Sequence, residues 1–254
     1  MPATPPSPTR QGGLARRGRI RRFIPPQHGA WAMLAVPFGV GVVDSGPSWV
    51  HLPLLVAWLG GYLLSYYAFI ALKTGRPGRV REQLAVYSAV AIPAAAVALL
   101  ARPALLVFAP VFAALIAVNA VFARRRDERA IVNDLAAVAA ACLMADVAAT
   151  AGGAPAGQGL LAAGVLFLYF AGTALYVKTM IRERGRASWL AASVAFHAVA
   201  LGLAWLVAWQ LGVVFAWLLG RAVVLPRFAL RPRTVGFIEI GHSLVLLVAV
   251  PGLT

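Results

Sequence analysis

The feature that most constrains this chain is a run of nine apolar stretches, divided by short segments rich in Arg, Lys, Gly and Pro. A helix needs about 20 mostly apolar residues to cross the hydrocarbon core of a bilayer, so each stretch is a predicted transmembrane helix. The predicted spans are 28–44, 50–73, 83–101, 103–123, 131–151, 158–181, 188–208, 210–225 and 235–252. The first and eighth are short, and only a tight turn near Trp209 and Gly212 divides the seventh from the eighth.

The scarcity of charge supports a membrane setting. Asp, Glu, Lys and Arg make up 12% of the 254 residues, against about 25% in a typical soluble domain. So few charges would not keep a soluble protein of this size hydrated, which makes the lipid bilayer the expected solvent. The sequence therefore predicts an all-α, polytopic membrane helix bundle over residues 28–254, preceded by a disordered basic tail over residues 1–27.

The positions of the basic residues predict how the bundle is oriented. Of the 23 Lys and Arg residues, all but Arg102 lie in the N-terminal tail or in four segments, 73–82, 124–129, 178–186 and 221–233. Cytoplasmic loops carry such an excess of positive charge. We therefore expect a cytoplasmic N-terminus, an outer C-terminus and a place in the cytoplasmic membrane. The same pattern accounts for the net charge of +15 without nucleic acid as a partner.

Ionisable and amide side chains in the spans, or at their basic ends, are the candidate site residues because such groups are costly to bury in hydrocarbon. Lys178 and Arg182 are four residues apart, so they share a helix face and can clamp a phosphate or carboxylate. Glu239 and His242 are three apart and also share a face. The candidate acid–base residues are Asp134, Glu183 and Glu239, and the candidate ligand-binding residues are His28, Lys73, Asn119, Arg126, Arg129, Asn133, Lys178, Arg182, His197 and His242.

The turn between the fourth and fifth spans is the densest polar stretch of the chain. Asn119 precedes Arg126 by seven residues, so both are expected on one helix face. Arg129 has the spacing to pair with Asn133 or with Asp134. These residues predict a polar site at the membrane entrance.

Other polar residues leave alternatives open. Asp146 lies twelve residues beyond Asp134, about 18 Å further along a helix, so the two carboxylates do not act as a pair. Asp146 is then either a site residue or a group near the outer surface. The single cysteine, Cys142, excludes an intramolecular disulfide and a Cys-rich metal site, and no metal ligands are predicted. His197 and His242 could together provide the two axial ligands of a haem. The ordinary alternative is that a histidine here is hydrogen-bonded to the carboxylate of Glu239 and binds no haem.

One segment carries a family resemblance. Residues Ile24–Leu34 contain the string Pro-Pro-Gln-His-Gly-Ala-Trp, which resembles the opening of the YwiC-like family of bacterial membrane proteins. The pair Asn133-Asp134 and the pattern Lys178-x-x-x-Arg182-Glu183 fit this resemblance, which then covers residues 24–250.

A remoter likeness is to the UbiA superfamily of intramembrane prenyltransferases. That likeness implies nine helices, an internal N-terminus and polar motifs on cytoplasmic loops 2–3 and 6–7. The corresponding loops here, Lys73–Glu82 and Lys178–Glu183, have no Asp pair, whereas that superfamily binds a prenyl diphosphate through Mg²⁺ with Asp-rich motifs. The likeness therefore implies a shared fold rather than metal-dependent prenyl transfer.

Three functions follow from these residues. The first is a cytoplasm-facing intramembrane cavity that binds an anionic amphipath, a lipid or isoprenoid phosphate, directly through basic side chains. Whether a reaction follows is open, and no particular cofactor is indicated. The second is a transporter of a small anion or metabolite, favoured by Gly and Pro in the first span and by His197 and Asp146. The third is a haem- or metal-binding redox subunit.

Overall fold

The computed structural model describes Phe23, residues 30–228 and residues 230–254. Within that part of the chain the fold is entirely helical. The nine α-helices are α1 (Ala30–Ser45), α2 (His51–Thr74), α3 (Arg81–Ala101), α4 (Ala109–Arg124), α5 (Ile131–Gly152), α6 (Leu160–Ile181), α7 (Ala187–Val207), α8 (Trp209–Val224) and α9 (Pro232–Ala249). Three 3₁₀ segments, Pro77–Val80, Pro103–Phe108 and Leu225–Arg227, precede α3, precede α4 and follow α8.

The helices confirm the prediction of a polytopic helical membrane bundle. Counted together with their adjoining 3₁₀ segments, eight of those described are long and apolar enough to cross a bilayer, and α1 is shorter. The largest difference from the predicted spans is at α4, whose first six predicted residues form a 3₁₀ segment. Pro110 has no N–H with which to continue α-helical bonding, and the N–H of Ala109 bonds to Leu106 in the shorter 3₁₀ pattern.

Helices α5 and α6 form the centre of the bundle. More than half of the residues in their apolar windows are buried, against one third or fewer in every other long span described. Helices α1 and α4 pack on α5, while α7 and α9 pack on α6. Val40, Leu166, Tyr169 and Phe215 meet there in one apolar cluster. Polar groups carried by α5 and α6 are therefore held on the most tightly packed part of the protein.

Helices α1 and α5 approach closely through small residues. A side chain at Gly41 would place its Cβ 2.1 Å from the carbonyl oxygen of Ala145 and 2.8 Å from the Cβ of Ala148. Both distances are far below van der Waals contact, so only glycine fits. Helices in membranes commonly pack through such small residues, because no hydrophobic driving force brings them together.

Helices α7 and α8 form a tight hairpin. One extended residue, Ala208, separates them, which agrees with the expected division near Trp209. The ring of Trp205 lies against Gly212, where an added Cβ would come within 2.2 Å of the ring. This hairpin brings the end of α8 back beside the start of α7.

Asp146 stabilises the turn between α5 and α6, at the end of the bundle opposite the basic segments. Its buried carboxylate accepts the N–H of Gly157 at 2.9 Å and the N–H of Gly159 at 2.9 Å, so it holds the α5–α6 turn. Arg102 lies at the same end and donates from Nε to the carbonyl of Ala151 at 3.3 Å. The one basic residue outside the basic segments therefore has a partner among the last carbonyls of α5.

His51 joins α2 to α5 at that end. The backbone N–H of Ser48 donates to Nδ1 at 2.9 Å, and Nε2 lies 2.9 Å from the carbonyl of Ala148. A carbonyl only accepts, so the ring proton is on Nε2 and the buried imidazole is neutral.

Replacing Gly41 by alanine should loosen the α1–α5 contact. The new methyl group would strike a backbone carbonyl that cannot move aside, and overpacking of this kind costs about 1–3 kcal/mol. We expect a lower midpoint of thermal unfolding for Gly41→Ala in detergent. Gly61→Ala is the matched control, because a Cβ there meets nothing within 4 Å; an equal loss in both variants would contradict this account.

Candidate functional site

The polar residues toward the basic segments gather in two clusters on different faces of α6. The interface cluster joins the end of α6 to the α4–α5 turn and contains Lys73, Asn119, Glu128, Asn133, Asp134 and Lys178. The arginine cluster joins α6 to α7, α8 and α9 and contains Tyr176, His197, Arg221, Glu239 and His242. Lys178 and Tyr176 are two residues apart, about 200° around the helix, so the clusters are separate sites.

Lys178 is the anchor of the interface cluster. Its side chain is 10% exposed, although it lies in the last turn of α6. Nζ lies 2.8 Å from Oδ2 of Asp134, donates to the carbonyl of Arg129 at 2.7 Å and lies 5.7 Å from the ring centre of Trp189. An ammonium carries three N–H donors. Two are used in these contacts, and no acceptor among the described residues takes the third.

A chain of hydrogen bonds fixes the α4–α5 turn beside Lys178. The amide of Asn119 donates to Oδ1 of Asn133 at 2.8 Å, and the amide of Asn133 donates to the carbonyl of Glu128 at 2.9 Å. The carboxylate of Glu128 pairs with Lys73 at 2.8 Å. The turn that supplies the Arg129 carbonyl is therefore tied to α2, α4 and α5.

The structure differs from two expectations for this turn, the helix face shared by Asn119 and Arg126 and the pairing of Arg129 with Asn133 or Asp134. Arg126 lies beyond the end of α4 in the left-handed region, with φ of 59°, so it does not share a helix face with Asn119. The partner of Asp134 is Lys178 from α6, and Arg129 takes part through its carbonyl. Helix α4 ends at Arg124, and the chain turns before the i, i+7 spacing is completed.

The pKa of Glu128, which lies outside the membrane-spanning helices, is lowered. Burial by itself would raise the pKa of this carboxyl. The hydrogen bond and charge of Lys73, together with a backbone hydrogen bond and the charge of Arg129, outweigh that effect. The Glu128–Lys73 pair therefore stays charged at neutral pH.

A groove of about 280 Å³ opens beside Lys178. Its walls combine charged and apolar side chains, from Asp134, Ala174, Val177, Lys178, Ile181 and Arg182. All but Asp134 come from one face of α6 and its C-terminal cap. The groove therefore brings together three of the residues predicted from sequence.

The remaining predicted residues lie elsewhere. Glu183 pairs with Arg186 at 2.5 Å in an exposed contact. His197, Glu239 and His242 belong to the arginine cluster, on a different face of α6. His28 lies outside the described residues.

Arg221 is the centre of the arginine cluster. Its side chain is 2% exposed, and its guanidinium carbon lies 4.4 Å from the ring centre of Tyr176. Nη1 forms an ion pair with Oε2 of Glu239, and the hydroxyl of Thr173 donates to the same oxygen at 3.2 Å. A charge buried this deeply is stable only with such a counter-ion.

Hydrogen bonds define the state of both histidines. Nδ1 of His197 lies 2.7 Å from the carbonyl of Ser193 and must donate to it, so Nε2 is the acceptor that faces Arg221 at 3.4 Å. Trp217 donates to Nε2 of His242 at 2.9 Å, so the proton of neutral His242 is on Nδ1. Three of the four ring nitrogens therefore contact protein groups at hydrogen-bonding distance, and Nδ1 of His242 lies 3.8 Å from Oε1 of Glu239. Among the described residues, no group of three or more His, Cys, Asp or Glu side chains is arranged to hold a metal ion.

Sequence reasoning missed Arg221, Tyr176 and Trp217. Arg221 was assigned to the positively charged loop because it falls near the end of a predicted span. The signal that could have found it is its position inside that span, four residues before Leu225, with Glu239 on the next helix as a counter-ion.

A model of the family described as YwiC-like protein matches residues 24–149. The uncharacterized protein YwiC of Bacillus subtilis is 33% identical over 187 residues, which is 70% of this chain and 75% of that protein. An uncharacterized protein of Haemophilus influenzae is 33% identical over 233 residues, 90% of this chain and 97% of that protein. No solved structure matches significantly, and the UbiA likeness stays a prediction.

Breaking the Lys178–Asp134 pair from one side should destabilise the protein more than removing both charges. A single Lys178→Gln or Asp134→Asn change leaves a partly buried charge without its partner, which costs more than neutralising the pair. We expect a loss of about 1–3 kcal/mol for Lys178→Gln and a smaller loss for the double variant, measured by thermal unfolding. The exposed pair Glu183–Arg186 is the control, and its removal should change stability little.

The Glu128–Lys73 pair should make a pH-dependent contribution to stability. Because the pKa of folded Glu128 lies below that of the unfolded chain, the contribution is present above the unfolded pKa and is lost as pH falls through the folded pKa. Acid unfolding of wild type and Glu128→Gln, compared in detergent, should show a stability difference at neutral pH that narrows below about pH 4. A difference that is constant with pH would contradict the assignment.

Proposed function

The chain belongs to the YwiC-like family, and we propose that this multi-pass membrane protein binds the headgroup of an anionic amphipath at the groove beside Lys178. The ligand class is a phospholipid or an isoprenoid phosphate. We place the protein in the bacterial cytoplasmic membrane, with the groove at the cytoplasmic face. This orientation follows from the basic segments at that end of the bundle.

The observation that carries the proposal is the way Lys178 is held. Asp134, the Arg129 carbonyl and Trp189 fix its ammonium group at the groove, while one N–H donor has no acceptor in the part of the chain that the structure describes. A side chain that is already ordered loses little conformational entropy when it binds a ligand. The site is therefore prepared for an acceptor at one defined point.

The balance of charge favours an anion. Asp134 neutralises Lys178, and Arg182 at the same groove is exposed, so the groove keeps a net positive charge. Charge-assisted hydrogen bonds from Lys178 and Arg182 to a phosphate are about twice as strong as neutral ones. A phosphate would be bound directly, without a bridging metal ion.

The walls of the groove favour an amphipath over a free ion. Ala174, Val177 and Ile181 line it beside the two cations, and Ile181 is exposed. The volume of about 280 Å³ is suited to a headgroup, so an acyl or prenyl chain would lie along the outer surface of α6 in the bilayer. Lys73 and Arg129 support the turn rather than contact the ligand.

Arg182→Gln should weaken the binding of an anionic lipid. Loss of one charge-assisted hydrogen bond costs about 1.5–3 kcal/mol, which is about a tenfold to hundredfold loss of affinity. Binding is measured by native mass spectrometry of the full chain, titrated separately with phosphatidic acid and with undecaprenyl phosphate. The two titrations also decide between the two ligand classes.

Arg184→Gln is the matched control. Arg184 is exposed in the same loop, does not line the groove, and its replacement removes the same one unit of charge. The double variant Asp134→Asn/Lys178→Gln should also lose lipid while remaining electrically balanced. Equal affinity in Arg182→Gln, Arg184→Gln and wild type would overturn the proposal.

A further inference from the structure

The arginine cluster contains several buried polar atoms that lack partners. Within the described part of the chain, Nε of Arg221, the hydroxyl of Tyr176, Oε1 of Glu239 and Nδ1 of His242 are buried and accept or donate no hydrogen bond. Buried polar atoms are usually satisfied, and each exception calls for an explanation. Four such unpartnered atoms around one ion pair indicate a site that binds an additional ligand.

The unpartnered atoms divide into two kinds. Nε of Arg221 is a donor, and Tyr176, whose ring packs against the guanidinium, carries a hydroxyl that can also donate, so these two atoms suit an anion. Oε1 of Glu239 is an acceptor that lies 3.8 Å from Nδ1 of His242, so it suits a proton. The site therefore offers one position for negative charge and another for positive charge.

Charge balance links the two positions. Arg221 and Glu239 neutralise each other, and the hydrogen bonds of His197 and His242 describe neutral rings. The neighbouring polar groups include Tyr169 and Ser243, whose hydroxyls donate to the Glu239 carbonyl, together with Thr173 and Trp217; none of them carries a charge. A proton added to Glu239 alone would leave the Arg221 cation buried without a counter-ion, which is strongly unfavourable. A proton and an anion entering together keep the cluster neutral.

We propose that the arginine cluster is a proton-coupled anion site, in which Arg221 binds a carboxylate or phosphate group and Glu239, beside His242, takes the proton. The proton binds Oε1, the ion pair between Glu239 and Arg221 opens, and the anion takes the place of the carboxylate on the guanidinium. No covalent bond other than the new O–H bond forms or breaks. The planar guanidinium offers paired N–H donors that match both anions.

This site is independent of the lipid groove. Tyr176 and Thr173 project from a different face of α6 than Lys178, and the charged partners come from α8 and α9. Intramembrane carboxylates and histidines commonly mark proton and substrate pathways. The coupling of a proton to an anion is the chemistry that a transporter of small anions requires.

The variant Glu239→Gln provides the sharpest test. The amide mimics the protonated acid, so this variant should bind the anion at any pH, whereas wild type should bind it only at acidic pH. The double variant Arg221→Gln/Glu239→Gln has no charge in the cluster and should bind no anion at either pH. Thermal unfolding in zwitterionic nanodiscs, with and without added acetate or inorganic phosphate at constant ionic strength, measures binding as a rise in the unfolding midpoint.

The expected result is an affinity at least about tenfold higher for Glu239→Gln than for wild type at mildly alkaline pH. A response in Glu239→Gln no larger than in the double variant, or a wild-type response that is equal at both pH values, would overturn the proposal. If Glu239→Gln does not fold, the comparison of wild type with the double variant tests the proposal. The anion-dependent rise in the unfolding midpoint must then depend on pH in wild type and be absent in the double variant. Nanodiscs that contain phosphatidic acid without added anion show whether a lipid headgroup supplies the phosphate. Arg182→Gln should leave the response unchanged, which separates this site from the groove.

Discussion

The constraint on which this structure depends is that a charge held inside a membrane protein must have a partner of opposite sign. Lys178 has Asp134, and Arg221 has Glu239. Each pair joins two helices that follow one another in the chain, α5 to α6 and α8 to α9, so the two pairs also fix how these neighbouring helices meet near the basic end of the bundle. In water such pairs would contribute little. In a site of low dielectric, removal of one partner leaves a charge that nothing else can screen.

Much of the fold could be predicted because its cause is local. An apolar stretch long enough to cross the hydrocarbon becomes a helix whatever its neighbours are, so even the division at Ala208 was visible near Trp209. The exception, the 3₁₀ segment before α4, depends on Pro110 and the bonding of Ala109 to Leu106. That choice between two hydrogen-bonding patterns cannot be read from hydropathy.

The sites were less predictable because they depend on which helices meet. Lys178 and Arg182, which their spacing predicts on one helix face, both line one groove, since that relation lies within one helix and its cap. Asn119 and Arg126 do not share the expected helix face, because the chain turns at the left-handed residue Arg126, and Asn119 bonds to Asn133 instead. Arg221 looked like a topology signal, and only the packing of α6, α8 and α9 shows that its side chain is buried. A single sequence does not distinguish an arginine that is buried between helices from an arginine in an exposed loop.

The single-residue link between α7 and α8 has a consequence for how the protein is made. Two helices joined so tightly must insert into the bilayer together as a hairpin, because the link is too short for one helix to insert while the other remains in water. Arg221 therefore reaches the membrane during synthesis before Glu239, which is encoded on α9. Until that last helix arrives, the guanidinium has no carboxylate to neutralise it. The C-terminal half therefore becomes stable only when α9 has been synthesised. A chain that is truncated before α9 would contain a buried, unpaired arginine and would be unstable in the membrane.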